Sequence, residues 1–99
     1  MTWKIYDEAV DMVQRRFQYF PRVFRWRGQR YEVDAVERCW TVVRRGWRRQ
    51  AQRHYFRVRC TQGEFELYQD IRTGLWHLRR ARLGQAPVPA LRQVAPAWQ

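Results

Sequence analysis

A small antiparallel β-meander, curled into a bent sheet or a partly open barrel and followed by an extended C-terminal tail, is the fold class the sequence predicts. Three observations lead there. Short runs alternate apolar with charged side chains, as in Val23-Phe24-Arg25-Trp26-Arg27, and a period of two marks a half-buried strand. Turn-forming residues separate these runs at roughly 8–12-residue spacing, the rhythm of an antiparallel all-β domain. Six Trp, five Tyr and five Phe among 99 residues supply the bulk that so short a chain needs to close a core.

The elements follow in chain order. Residues 6–20 fit two readings. Tyr6, Val10, Val13, Phe17 and Phe20 recur at helical spacing, with Asp7, Glu8 and Asp11 early and Arg15 and Arg16 late, as a helix dipole favours. Yet no strong N-cap precedes Tyr6, and Val10 and Met12 alternate as in a strand. Pro21 ends the segment under either reading, because the residue before a proline is pushed toward extended conformations. Phe24 and Trp26 then point inward and Arg25 and Arg27 outward, Gly28-Gln29 forms a two-residue turn with Gly first, and Tyr31, Val33 and Ala35 return with Glu32 and Asp34 opposite. Cys39 to Val43 is a further β-branched, aromatic run, and Arg44 to Arg53 is polar around Gly46 and predicts a loop. In the next strand Phe56, Val58 and Cys60 face in while Tyr55, Arg57 and Arg59 face out. Gln62-Gly63 turns the chain. Phe65 and Leu67 face in with Glu64 and Glu66 out, Asp70 to Gly74 turns again, and Trp76 and Leu78 face in with His77 and Arg79 out. Phe24, Trp26, Tyr31, Trp40, Phe56, Phe65 and Trp76 are the expected core. Residues 1–83 make one basic domain, and 84–99, with Pro87, Pro89 and Pro96, an extended tail ending near Trp98.

Charge narrows the function. Lys4 is the only Lys among 20 basic residues, and the net charge is +11. Residues 15–59 hold fourteen Arg against Glu32, Asp34 and Glu37, a net of +11, so the excess lies in the middle of the chain. Arg pairs bidentately with phosphate and carboxylate and stacks on aromatic planes, which Lys does poorly. Nuclease, aldolase or Walker-type chemistry that needs a well-placed Lys has one candidate, Lys4 near the N-terminus. Cys39 and Cys60 form no CxxC pair, so neither zinc nor redox work is expected, and both thiols read as reduced and structural. No apolar h-region follows Met1-Thr2-Trp3-Lys4 and no apolar run approaches ~18 residues. A cytoplasmic protein without membrane contact is the expectation.

The outward faces of the strands carry Arg25, Arg27, Arg57, Arg59 and Arg79, with Arg30 nearby and Tyr55 and His77 interleaved. On neighbouring strands these would form one ridge of cations and planar groups, the arrangement that grips single-stranded or distorted nucleic acid. The competing reading pairs them with Glu32, Glu64 and Glu66, but three acids cannot neutralise all the Arg. Arg44, Arg45, Arg48 and Arg49 surround Trp47 in the densest charge of the chain. There the Arg suit a phosphate backbone, while Trp47 either stacks on a base or folds back as a lid on the core. Glu64, Glu66 and Asp70 have no spaced His or further carboxylate to make a metal or acid–base site. They read as outward strand residues, His54 and His77 as structural or surface residues, and Cys39 as a small buried side chain.

One stretch carries a family resemblance. Pro21-Arg22-Val23-Phe24-Arg25-Trp26-Arg27-Gly28-Gln29-Arg30-Tyr31-Glu32-Val33, Trp40, Trp47, Tyr55-Phe56-Arg57-Val58-Arg59, Gly63, Phe65-Glu66-Leu67-Tyr68 and Trp76-His77-Leu78 together resemble a family of small bacterial domains of unknown function. Similar domains end the catalytically inactive Y-family-polymerase-like proteins of a mutagenic DNA-repair assembly. The resemblance covers about residues 7–80 and implies a strand for residues 9–14. The chain departs from it in running sixteen residues on from Gly84 and in a longer, more aromatic Arg15–Phe20 segment. The resemblance implies no activity. The expected function is therefore a noncatalytic nucleic-acid-binding module with no cofactor and no metal, low in sequence specificity and accessory to repair or translesion synthesis. The alternative is a protein-interaction module that docks through a strand edge or through the tail 84–99.

Overall fold

The computed structural model describes residues 2–45 and 50–84. Six strands follow one another: β1 (Lys4–Arg16), β2 (Phe20–Trp26), β3 (Gln29–Arg45), β4 (Gln50–Cys60), β5 (Gly63–Asp70) and β6 (Trp76–Leu83). Every neighbouring pair is antiparallel, and β1 also pairs with β6, so the meander closes into a ring in chain order. Closure goes a step beyond the partly open sheet that the sequence predicts. It satisfies the edge strands at the cost of bending them. Among the described residues there is no helix, hence none long and apolar enough to cross a membrane.

Residues 6–20 are strand and turn, not helix. The first half of β1 pairs with β6 from Lys4↔Ala81 to Val10↔Trp76, and the second half with β2 from Asp11↔Arg25 to Arg16↔Phe20. Two ladders in succession satisfy the β1 backbone, and Tyr6, Val10 and Met12 are its side chains packed in or against the core. Val13 and Phe17, members of the helical stripe, stand in solvent. The β2–β3 turn lies one residue earlier than Gly28-Gln29. Trp26 pairs with Gln29, and the corner residues Arg27 (φ 54°) and Gly28 (φ 77°) are both left-handed. This is the double-positive turn that matches strand twist. It moves Arg27 off the strand face onto a corner.

The runs around Tyr31 and Val42 are one strand. β3 bends at two bulges, where Asp34 and Glu37 are skipped in its pairing with β4. The predicted loop from Arg44 to Arg53 is mostly ladder as well, with Val42↔Arg53, Val43↔Gln52 and Arg44↔Ala51 paired. Polar residues serve there because this end of the hairpin covers no core. Trp47, Arg48 and Arg49 lie outside the described residues, as do the side chain of Arg45 and the tail from 85.

The interior is as the alternation predicts for Phe24, Trp26, Tyr31, Phe56, Val58, Cys60, Phe65, Leu67, Trp76 and Leu78, all buried in one cluster with Val10 and Ala81. Phe24 stacks on Tyr31 (centroids 5.2 Å, 10° between planes) and meets Phe65 edge-on at 5.5 Å. Trp40 is the exception. It sits half-buried outside this cluster and stacks on Tyr55 instead.

Candidate nucleic-acid interface

The expected ridge of Arg25, Arg27, Arg57, Arg59 and Arg79 is divided by the fold: Arg25 lies on β2 and Arg27 at its corner, while Arg57, Arg59 and Arg79 lie on the outer face of β4–β6 together with Arg80 and Arg82. Arg57, Glu66 and Arg80 form one row across the three strands, and Arg59, Glu64 and Arg82 the next. The rows are internally paired. Glu66, only 2% exposed, accepts from Arg79 Nη1 at 3.1 Å and Arg80 Nε at 2.5 Å, with Arg57 Nη2 at 3.9 Å. Its burial corrects the expectation of an outward, solvated side chain. Three guanidiniums and their stems lie around it. Arg82 pairs with Glu64, and Arg59 with Glu37 at 2.8 Å. The Trp3 ring lies over Arg57, Arg80 and Arg82, with centroid distances of 5.4, 4.6 and 5.2 Å. Arg57, Arg59 and Arg79 are thus held in ion pairs within the fold, although the single carboxylate of Glu66 offsets only one of the three charges around it.

Tyr55 is likewise committed. It is buried in a row of rings that crosses four strands: Trp40 to Tyr55 at 5.3 Å, Tyr55 to Tyr68 at 5.3 Å and Tyr68 to His77 at 5.0 Å. Arg38 covers Trp40 at 4.9 Å, Arg53 covers Tyr68 at 4.4 Å, and the Tyr68 hydroxyl donates to Asp7 Oδ1 at 3.0 Å. Burial and the Asp7 hydrogen bond raise the Tyr68 hydroxyl above its ordinary value. With neighbouring rings on both sides, Tyr55 offers no open plane to a base. This corrects its placement in the site.

Arg27 is clamped. From its corner it donates Nε to Glu8 Oε1 at 2.9 Å and Nη2 to Oε2 at 2.6 Å, and Trp26 Nε1 joins at 2.9 Å. The Arg27 and Trp26 hydrogen bonds pull the Glu8 carboxyl down to about 2. Arg30 stands 3.5 Å from Glu32, but both are largely exposed, and such pairs hold little energy. Arg25 reaches only the Gly28 carbonyl, at 3.5 Å.

The unspent charge lies elsewhere. Between Asp11 and Glu32 the sequence has six Arg and no acid. On the β1–β2 hairpin, Arg15, Arg16, Arg22 and Arg25 are exposed and have no carboxylate within ion-pair distance among the described residues. Arg22 and Val13 are skipped in the β1–β2 register, so Arg22 projects from a bulge. Unequal strand lengths open a groove beside this hairpin. Pairing between β2 and β3 stops at Val23↔Glu32, and β3 then continues with β4 alone. The gap measures about 940 Å³ and is lined by Arg16, Phe17, Arg22, Arg30 and Arg38, with Glu32, Asp34 and Glu37 along the β3 side. Arg44 is exposed farther along β3. Arg15, Arg16, Phe17, Arg22 and Arg38 were absent from the expected site. The acid-free stretch after Asp11 was the signal that could have found the first four.

Among the described residues no three His, Cys, Asp or Glu converge as a metal would require. Both cysteines are free thiols, and Cys39 is exposed rather than buried. Desolvation pushes the Cys60 thiol up to about 12. His54 shares a 2.9 Å hydrogen bond with Thr41 Oγ1. The family described as Domain of unknown function (DUF6504) matches residues 1–82. No curated protein and no solved structure matches the chain.

Proposed function

The chain belongs to that family of domains of unknown function, which supplies no activity, and from the geometry we propose a noncatalytic, cytoplasmic nucleic-acid-binding module. One observation carries the reading: Arg15, Arg16, Arg22 and Arg25 lie in the acid-free stretch between Asp11 and Glu32, beside an open groove, while Arg27, Arg57, Arg59, Arg79, Arg80 and Arg82 are held in ion pairs. Uncompensated guanidiniums on a protruding hairpin attract a polyanion, and phosphate pairing gives affinity without reading sequence. The likeness of Pro21–Val33 to the end domains of inactive polymerase-like repair proteins supports a ligand met during repair or translesion synthesis, single-stranded or distorted.

Titration of a labelled single-stranded oligonucleotide at rising salt tests this. Four phosphate contacts predict a log–log salt slope of about −3. The triple variant Arg15→Gln, Arg16→Gln, Arg22→Gln should flatten it by about two units, whereas Arg79→Gln should leave it unchanged. Absence of binding at low salt, or binding indifferent to salt, rejects the proposal.

A protein-docking module is the second reading, and a separate observation favours it. Past Glu32, β3 is hydrogen-bonded to β4 on one side only, and Val42 and Val43 are exposed there. An unpaired edge of this kind accepts an added strand. Lysine at both positions should abolish such a partnership and leave oligonucleotide binding intact. The reverse pattern rejects this second reading.

A further inference from the structure

The tip of the β1–β2 hairpin is built in an unusual way. Phe17 and Gln18 are both left-handed, at φ 55° and 53°, and the Tyr19 amide closes the turn on the Arg16 carbonyl at 3.0 Å. Glycine and asparagine adopt this backbone readily, whereas an aromatic residue meets steric cost in it. Two neighbours anchor the tip. Tyr19 turns inward against His54 at 5.5 Å and Phe56 at 5.2 Å, and Phe20 meets Phe56 at 6.2 Å.

Phe17 does the opposite. It is 79% exposed, the most exposed large apolar residue among those described. Its ring gains nothing from the core, and its backbone conformation is unfavourable for its type, so the fold does not account for a phenylalanine here. The Arg16 guanidinium lies 5.3 Å from the ring centroid, and the ring forms part of the groove wall with Arg16 and Arg22. An open aromatic plane among uncompensated cations suits a ligand that is itself flat and flanked by negative charge.

We propose that Phe17 is a base-stacking residue: an unpaired nucleobase lies on its exposed ring while Arg15, Arg16 and Arg22 take the adjoining phosphates. The inference rests on the nucleic-acid reading above and deepens it by naming the ligand as an unpaired strand. In a duplex the base faces are already stacked on one another and cannot reach the ring, so a stacking tip selects single strands, gaps or extruded bases.

Three probes separate the contributions: a fluorescent oligothymidylate, an abasic deoxyribose-phosphate oligomer of equal length, and a duplex. Each is titrated at low salt against the parent, Phe17→Ala and Phe17→Trp. The parent should prefer oligothymidylate to both other probes. Phe17→Ala should weaken the oligothymidylate about five- to hundredfold, roughly 1–3 kcal/mol, and leave the abasic strand within about twofold. Phe17→Trp should retain the preference. An unchanged thermal melt shows that these exposed substitutions leave the fold intact. If Phe17→Ala weakens both single strands equally, or neither, the stacking role is overturned while phosphate binding stands. If the parent binds none of the probes, the underlying reading fails and the inference with it.

Discussion

Replacement of Glu66 by glutamine tests how the barrel disposes of its charge. The carboxylate is 2% exposed, accepts hydrogen bonds from Arg79 and Arg80 and lies 3.9 Å from Arg57. Glutamine keeps the shape but turns an amide NH2 toward guanidiniums and removes the one carboxylate charge that three cations share. Removing one partner of a fully buried pair costs about 3–5 kcal/mol. Here the Arg side chains are 29%, 43% and 28% exposed, so water recovers part of the loss, and about 2 kcal/mol is the expected size. A domain this small unfolds in urea with a slope near 1 kcal/mol/M, which places the midpoint about 2 M lower. Glu64→Gln is the control, because Glu64 is 22% exposed and serves Arg82 alone. It should cost less than about 1 kcal/mol. Chemical denaturation followed by tryptophan fluorescence measures both. A Glu66→Gln midpoint within about 0.5 M of the parent, or equal to that of Glu64→Gln, would refute the hub assigned to Glu66.

Other consequences are accessible to simple assays. The Glu8 carboxyl is depressed to about 2 from 4.5, so its pairing with Arg27 and Trp26 stabilises the fold fully above about pH 4.5. That stabilisation disappears as pH falls toward 2. The melting-temperature gap between the parent and Glu8→Gln should therefore be constant near neutrality and close over that window, and a gap independent of pH contradicts the assignment. With Cys39 exposed and the Cys60 thiol buried and pushed up to about 12, a thiol reagent at neutral pH should label one cysteine in the native protein and two in denaturant. Equal native labelling of both would contradict the packing. A Cβ at Gly63 would lie 2.9 Å from the Leu83 Cα and press on the Arg82 carbonyl, at a φ of 149°. Gly63→Ala should lower stability by about 2 kcal/mol or more, and an unchanged melt would show that β5 and β6 can separate there.

What could be read from the sequence is what alternation records. Phe56, Val58 and Cys60, then Phe65 and Leu67, then Trp76 and Leu78 announce three strands and their inner faces, since period two and burial are properties of one strand at a time. β1 was harder because Tyr6, Val10, Val13 and Phe17 satisfy a helical template as well as they violate a strict strand one. The ambiguity is resolved by pairing with β6, a partner about seventy residues away. The single strand from Gln29 to Arg45 was concealed by its bulges at Asp34 and Glu37. Each bulge adds a residue and breaks the alternation that would have joined the two halves.

The interface was misplaced for a related reason. Counting the acids that lie among the Arg in the sequence credits Glu32, Glu64 and Glu66 with the neutralisation, and on that count the outer face of β4–β6 remains strongly basic. The ring brings in others. Glu8 reaches Arg27 from the adjacent strand β1, Glu37 crosses from a β3 bulge to Arg59, and Glu66 serves several cations at once. Which Arg are neutralised is thus decided by register and closure, neither of which is local. Exposure follows the same rule. Tyr55 faces outward as alternation requires, yet Trp40 and Tyr68 from the flanking strands cover its ring. Phe17, assigned by spacing to a buried stripe, is carried into solvent by the turn. Among the described residues, free cations and an open ring therefore coincide on the β1–β2 hairpin, where no acid lies between Asp11 and Glu32 and no neighbouring strand crosses the tip. That coincidence, rather than the total charge of +11, is the physical basis for placing a polyanion there.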